Sequence, residues 1–249
     1  MSSEWGSGER GKRKEERGNS EAGIDRQGSI GAMNWTTEKR NAAIDAVFAR
    51  APVLPVIVIE TIDQAVPLAR ALVAGGLPVL EVTLRTPVAL EAMRRIAAEV
   101  PEAVLGAGTV LTPADLDAAA NAGCTFAISP GATPALYAAA EASPLAWLPA
   151  VATASEVMQG LAHGHQRFKF FPAMPAGGTA TLKAFAGPFP QARFCPTGGL
   201  DAGSAPAFLA LPNVGTVGGS WMLPKDAIAR GDWARIEALA RAAVGLRPA

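Results

Sequence analysis

The feature that most constrains the fold of this 249-residue chain is a regular alternation of short apolar segments with alanine-rich amphipathic segments, beginning at Pro52. The alternation predicts eight strands, at 53–59, 78–84, 103–108, 125–129, 146–151, 167–173, 192–198 and 213–219. It predicts helices near 63–75, 86–99, 112–121, 132–142, 153–163, 178–186 and 201–210, followed by a C-terminal pair from about 222 to 245. Apolar strands separated by helices indicate a parallel sheet, and eight such units predict a closed α/β fold, a (β/α)8 TIM barrel.

A doubly wound open sheet is the alternative architecture. Against it, no G-x-G-x-x-G sequence follows the first strand, and no second domain is left over. Residues 1–32 are rich in Gly, Ser, Arg and Glu and almost free of aliphatic side chains, so we expect a disordered extension. The barrel domain is expected over 33–249, with an extra N-terminal helix capped by Thr36 or Thr37.

Composition excludes several classes of function. Acidic and basic residues balance at 22 each, so no overall field favours nucleic acid, a membrane surface or an acidic protein partner. Only two cysteines occur, Cys124 and Cys195, in separate apolar segments, which argues against a disulfide framework and fits a reducing cytoplasm. No apolar run approaches the roughly 18 residues of a membrane span.

A single lysine, Lys169, stands among phenylalanines in the segment RFKFFPAM. In an extended segment Lys169 shares one face with Arg167 and Phe171, while Phe168 and Phe170 face the helices. One interpretation is a solvated lysine whose stem lies on apolar surface. The other is a buried amine, kept partly uncharged, that attacks a carbonyl.

An acid on the second predicted strand points into the same interior. In VLEVTLRT the period of two places Glu81, Thr83 and Arg85 on one face. Because catalytic groups of such barrels lie at the carboxyl ends of the strands, we expect Glu81 to meet Lys169 and to move protons during imine chemistry. The alternative is an ion pair with Arg85 or Lys169 that only fills the interior.

Glycines follow the last two predicted strands, in TGGLDAGSA and GGSWMLP. Gly198, Gly199 and Gly219, with Ser220, are predicted to form a phosphate cradle, because glycine lets backbone amides approach an anion. Barrels often bind phosphate with these two loops. The alternative is that the glycines only make tight turns.

Two further loop residues and two histidines complete the candidates. Thr109 follows glycines that would let a ligand come close to the backbone, so it is a candidate carboxylate ligand. Pro130 is a candidate for the pocket floor. Either residue could instead be present only because it favours a turn. His163 and His165 lie in a helix-to-strand loop without a nearby carboxylate, so we expect solvated histidines and no metal site.

Six collinear motifs closely resemble those of the bacterial 2-keto-3-deoxy-6-phosphogluconate (KDPG) and 4-hydroxy-2-oxoglutarate (KHG) aldolases. The likeness runs from about Val53 to the C-terminus. The motifs are EVTLRT at 81–86, GAGTVL at 106–111, AISPG at 127–131, FKFFPA at 168–173, FCPTGG at 194–199 and GGSW at 218–221.

The resemblance implies a class I Schiff-base lyase on a TIM barrel, without metal or cofactor and usually a homotrimer. It implies cleavage of a phosphorylated keto acid, KDPG, to pyruvate and glyceraldehyde 3-phosphate, in the Entner–Doudoroff pathway of carbohydrate metabolism. By motif, Lys169 falls on the imine-forming lysine and Glu81 on the general acid/base. The other matched positions are Arg85 and Thr109 for the pyruvyl carboxylate, Pro130 and Phe171 for its pocket, Thr197 near the aldehyde portion, and Gly198, Gly199 and Ser220 for the phosphate.

One departure and several alternatives stand beside the resemblance. After the fifth strand the chain reads PAVAT, with Ala150 where the family often has glycine, so either the turn adopts another conformation or its fit relaxes. KHG or 6-phospho-galactonate cleavage on the same site is the alternative activity. A barrel that binds ligand without catalysis, and a divalent-metal aldolase, are further alternatives, the latter disfavoured by the lack of a His/carboxylate cluster in the sequence.

Overall fold

The computed structural model describes residues 34–246, in which parallel strands alternate with helices. The strands are β1 (Val53–Ile57), β2 (Val79–Thr83), β3 (Val104–Gly108), β4 (Phe126–Ile128), β5 (Ala146–Leu148), β6 (Ala150–Val151), β7 (Arg167–Phe170), β8 (Arg193–Pro196) and β9 (Val217–Gly219). The helices are α1 (Thr37–Ala49), α2 (Ala65–Ala74), preceded by a 3₁₀ turn (Ile62–Gln64), α3 (Ala89–Glu99), α4 (Pro113–Asn121), α5 (Pro134–Ala142), α6 (Ala154–Ala162), α7 (Gly178–Ala186), α8 (Ala205–Leu209), α9 (Lys225–Arg230) and α10 (Trp233–Val244). The disordered extension predicted for residues 1–32 lies outside the described residues.

The strands form two parallel sheets. A curled six-stranded sheet, a half-barrel, has the order β5-β4-β3-β2-β1-β9, and a three-stranded sheet has the order β6-β7-β8. The strand predicted at 146–151 is split at Pro149, which has no N–H to give to a ladder. Its two pieces, β5 and β6, pair with β4 and β7 respectively, so the chain passes from one sheet to the other at this proline.

The two sheets also meet between β8 and β9. Parallel bridges join Phe194 to Val214 and Thr197 to Gly218. The strand predicted at 213–219 is regular only from Val217. Before it, the Asn213 side chain donates to the Leu182 carbonyl, 2.7 Å away, and joins this part of the chain to α7.

Helix α1 covers the end of the fold where the strands begin. Its side chains Ile44 and Phe48 are buried in one cluster with inward residues of five strands, among them Leu54, Phe126 and Leu148. Since Cβ atoms alternate across a strand, these residues fill the space between the strands, and the opposite, carboxyl ends stay open.

Polar contacts fix α1 to the loop before β7. Asp45 accepts two hydrogen bonds from Arg167, at 2.6 and 2.7 Å, and Arg40 Nη1 lies 3.1 Å from His165 Nε2. Arg167 therefore lies toward the helix-covered end, although alternation places it on the same face of β7 as Lys169.

The expectation of two solvated histidines is wrong for His165. Its side chain is buried, because α1 packs over the loop that carries it, and only His163 is exposed, stacked on Tyr137 with ring centroids 4.2 Å apart. Burial, helped by the charges of Arg40 and His163, lowers the pKa of His165 to about 3. Packing between a helix and a distant loop was not visible in the sequence pattern.

Both cysteines are free and buried. None of the helices within residues 34–246 has the length and apolar character needed to cross a bilayer. The hydrophobic core otherwise follows the predicted alternation, with Phe168 and Phe170 buried against the helices.

The buried His165 should make folding sensitive to acid. Its pKa is about 3 when folded, against about 6.5 when unfolded, so below pH 6.5 the unfolded chain binds the proton first. The contribution of His165 to the free energy of unfolding should therefore be complete above pH 6.5 and fall by up to about 1.4 kcal/mol per pH unit toward pH 3.

Urea unfolding of the wild type and of His165→Gln between pH 4 and 7 measures this contribution. The variant should show a shallower loss of stability on acidification, whereas His163→Gln removes only the smallest of the three causes of the lowered pKa and should keep most of the wild-type slope. Equal slopes for His165→Gln and the wild type would contradict the assignment.

Candidate active site

A lysine and a glutamate meet inside the open end of the fold. Lys169, on β7, donates from Nζ to Glu81 Oε1, on β2, across 3.0 Å. The two residues are only 4% and 1% exposed, so the pair is shielded from water. The convergence predicted from the period of two is present, although 88 residues separate the partners in sequence.

The neighbouring strands leave room for this pair. A Cβ atom on Gly108 of β3 would lie 2.4 Å from Glu81 Oε1, whereas Cβ atoms in proteins essentially never come within 3.0 Å of another such atom. Glycine is therefore required there for the carboxylate to occupy its position. On the other side, Cys195 of β8 is the register partner of Lys169, and burial raises the pKa of its thiol to about 12. Cys195 is a neutral packing group.

An aromatic ring, that of Phe171, and an arginine, Arg85, lie beside this pair. Lys169 Nζ lies 5.4 Å from the centroid of the Phe171 ring, within cation–π range. Arg85, at the end of β2, donates from Nε to Thr109 Oγ1 at 3.0 Å. Thr109 has a φ of 59°, in the left-handed region that few non-glycine residues adopt. Such strain is frequent where a backbone is fixed for function.

The glycine loops also lie beside the Phe171 ring, since a Cβ atom on Gly198 would be 3.3 Å from it. Gly198 and Gly199, which are adjacent in one turn, have φ values of 106° and 81°, so both positions need glycine. A Cβ atom on Gly218 would lie 2.2 Å from Thr197 Oγ1, and this glycine lets the two loops come together.

These groups line one cavity of about 140 Å³ at the carboxyl ends of the strands. Of the residues predicted from sequence, those lining it are Arg85, Lys169, Phe171, Thr197, Gly198, Gly199, Gly219 and Ser220. Glu81 and Thr109 reach it through their contacts with Lys169 and Arg85. Pro130, half-buried after β4, is not among the lining residues, so the structure does not bring it to this cavity.

Three lining residues were not predicted, namely Val56, Leu200 and Gly218. Val56 is the register partner of Glu81 on β1 and follows the inward Leu54 by two, so alternation alone could have indicated it. Gly218 opens the GGSW motif. Leu200 carried no signal beyond its place after the paired glycines.

The Ala150 departure is accommodated without strain. Ala150 lies in β6 as the register partner of Lys169, and among the described residues Thr109 alone has a positive φ without being glycine. The same described residues include no group of three or more His, Cys, Asp or Glu side chains that could hold a metal ion.

Comparison with known proteins places most of the described residues in one family. A family model described as KDPG and KHG aldolase matches residues 44–239. The KHG/KDPG aldolase of Escherichia coli K12 is 50% identical over 211 residues, covering 85% of this chain and 97% of that protein. The 2-dehydro-3-deoxy-phosphogluconate aldolase of Zymomonas mobilis is 54% identical over 206 residues, covering 83% and 97%.

Solved structures agree with this comparison. The KDPG aldolase of Legionella pneumophila, crystallised with pyruvate captured as a covalent carbinolamine, has a TM-score of 0.79 and 50% identity, covering 80% of this chain and 97% of that one. The Zymomonas mobilis enzyme with 3-phosphoglycerate also has a TM-score of 0.79, with 54% identity over 83% of this chain and 97% of that one.

The space that Gly108 leaves for Glu81 can be tested by filling it. Gly108→Ala should lower the free energy of unfolding by about 1–3 kcal/mol, because the new methyl group and the carboxylate cannot both keep their places. Gly187→Ala is the matched control, since a Cβ atom there meets nothing within 4 Å. Denaturant unfolding measures both, and equal stabilities of the two variants would refute the close contact.

Proposed function

The chain belongs to the KDPG and KHG aldolase family, and from this premise we propose that it is a class I aldolase cleaving KDPG to pyruvate and glyceraldehyde 3-phosphate. The observation that carries the proposal is the buried contact of 3.0 Å between Lys169 Nζ and Glu81 Oε1, beside a cavity lined by Arg85 and by the glycine loops. The covalent carbinolamine in the Legionella pneumophila relative supports amine chemistry in this family.

The buried pair fits catalysis better than a purely structural role. Taking two charges out of water costs several kcal/mol per ion, so a buried ion pair is weak evidence for stabilisation. Attack on a keto group requires the lone pair of the Lys169 nitrogen, and Glu81 is close enough to accept the ammonium proton.

The two ends of the cavity match the two ends of the proposed substrate. Arg85, held by Thr109, offers a guanidinium to the pyruvyl carboxylate. The turns of Gly198 and Gly199, with Gly219 and Ser220, are suited to the phosphate because glycine allows close approach of backbone amides. Two anchors of this kind place C2 of the substrate against Lys169.

Pocket walls complete the assignment. Phe171 supplies an apolar wall beside Lys169. Thr197 lines the same cavity, and its role near the aldehyde portion comes from the family motif. Pro130 keeps its role as a pocket residue only on the strength of the family motif, since it does not line the cavity.

The proposed reaction is balanced without a metal or an oxidant. The Lys169 amine adds to C2, water leaves, and the iminium forms. Glu81, directly or through water, takes the C4 hydroxyl proton as the C3–C4 bond breaks, and the aldehyde departs. The remaining enamine is protonated at C3, and hydrolysis releases pyruvate and restores the amine.

The proposal extends to the architecture and setting. Continuity of β5 and β6 through Pro149, with the bridges between β8 and β9, supports a closed (β/α)8 barrel with α1 as an additional N-terminal helix. From the family resemblance we also propose that the protein is a homotrimer and acts in the Entner–Doudoroff pathway. Two free cysteines are compatible with a cytoplasmic location.

Reductive trapping tests the mechanism. Borohydride with pyruvate should fix a carboxyethyl group on Lys169, identified by mass spectrometry of its peptide. Lys169→Met should lose the adduct and lower turnover by about a thousandfold or more, whereas Lys183→Met, at an exposed position of α7, should keep both. An adduct elsewhere, unchanged turnover in Lys169→Met, or loss of turnover in chelator would refute the proposal.

KHG cleavage is the second candidate, because the Escherichia coli relative is named for both substrates. Ser220→Asp places a negative charge at the glycine loops and should lower kcat/KM for KDPG by about tenfold or more through repulsion of the phosphate. Its effect on unphosphorylated KHG should be much smaller. Steady-state kinetics on both substrates measure this contrast. An equal loss of kcat/KM for KDPG and for KHG would show that the phosphate does not bind at these loops.

A further inference from the structure

A second cavity, of about 390 Å³, adjoins the proposed active site. It lies at the carboxyl end of β1, between the 3₁₀ turn that precedes α2 and helix α9. Val56 and Ser220 line both this cavity and the one that contains Lys169. The two spaces are therefore adjacent, and the second, here called the side cavity, is the larger.

The walls of the side cavity are chiefly apolar. Val58, Leu223, Ile228 and Ala229 line it with Val56, and the charged residues, Glu60 and Lys225, are exposed at its edge. Apolar walls do not replace the hydration of a phosphate, and the opposite charges of Glu60 and Lys225 leave the edge without a net charge that would attract an anion. An aliphatic or aromatic chain, in contrast, gains free energy by burial there.

The side cavity is close to the reacting atoms. Val56 is the register partner of Glu81, and Glu81 Oε1 is 3.0 Å from Lys169 Nζ. Val56 lines both cavities, so a chain that leaves C4 of a substrate held on Lys169 can pass it into either space. From there it has two directions, the glycine loops with their polar backbone or the apolar side cavity.

Resting on the proposed function, we propose that the enzyme also joins pyruvate to unphosphorylated aldehydes whose aliphatic or aromatic chain occupies the side cavity. In this direction C3 of the enamine on Lys169 attacks the aldehyde carbon, forming the new C3–C4 bond. The aldehyde oxygen takes a proton from Glu81, and water hydrolyses the iminium. The products are a 4-hydroxy-2-keto acid with an apolar tail and the free amine, with no net oxidation or reduction.

The test is a series of unbranched aldehydes, from propanal to hexanal, incubated with pyruvate and the full-length protein. Their carbonyl groups have similar intrinsic reactivity, so differences report the binding of the chain. Formation of the hydroxy-keto acid is followed by liquid chromatography and mass spectrometry. The value of kcat/KM should rise with each added methylene by up to about fourfold, the ratio for burying one methylene group.

A filling variant ties the chain-length effect to the side cavity. Ala229 is exposed on α9, so Ala229→Trp can fill the side cavity without disturbing the core. In this variant the hexanal-to-propanal ratio of kcat/KM should fall to about one, whereas KDPG cleavage and trapping of pyruvate on Lys169 stay at wild-type levels. Ala138→Trp, at an exposed position of α5 that does not line the side cavity, is the matched control and should keep the wild-type ratio.

The outcomes separate this inference from the proposed function. If pyruvate is not trapped on Lys169, both fail together. If trapping and KDPG cleavage succeed but the aldehyde series is flat, or Ala229→Trp leaves the ratio unchanged, only the side-cavity proposal is overturned. A flat series with a change of oligomeric mass in Ala229→Trp would assign the side cavity to contact between copies of the chain instead.

Discussion

The buried contact between Lys169 and Glu81 is the constraint on which the rest of the site depends. Two opposite charges inside the fold must be held close, because either one left alone there would be costly. Their neighbours are accordingly small or neutral, with glycine at 108 clearing space for the carboxylate and the Cys195 thiol remaining protonated. The chemistry proposed for the chain uses both members of this contact, with Lys169 as the amine that forms the iminium and Glu81 as the group that moves protons.

The fold gives the pair one covered side and one open side. At the covered end, Ile44 and Phe48 of α1 pack against inward residues, and Asp45 is bound to Arg167. At the open end, loops rather than helices surround the strands and carry the polar groups. Lys169 stands between these ends and lines the cavity on the loop side, together with Arg85 and the glycine turns.

Selectivity among ligands would then follow from the space beyond Lys169. The cavity at the glycine turns suits an anion, and the larger side cavity suits an apolar chain, with Val56 and Ser220 lining both. A single reactive centre beside two unlike spaces is consistent with one reaction type acting on more than one aldehyde. Val56 and Ser220, which line both cavities, are not part of the lysine–glutamate pair. Substitutions there should therefore alter the preference among aldehydes more than the reaction mechanism.

The sequence by itself determined the alternation of strands and helices, the inward faces of β2 and β7, and hence the meeting of Glu81 with Lys169. Period-two alternation and glycine chemistry are local properties, so they can be read along the chain. The tertiary structure decided that Pro149 divides a strand between two sheets and that α1 buries His165. It also decided which residues line the cavity, since Val56 and Leu200 do and Pro130 does not. Each of these depends on contacts between segments far apart in sequence, and packing across such distances leaves no local pattern in the residues themselves.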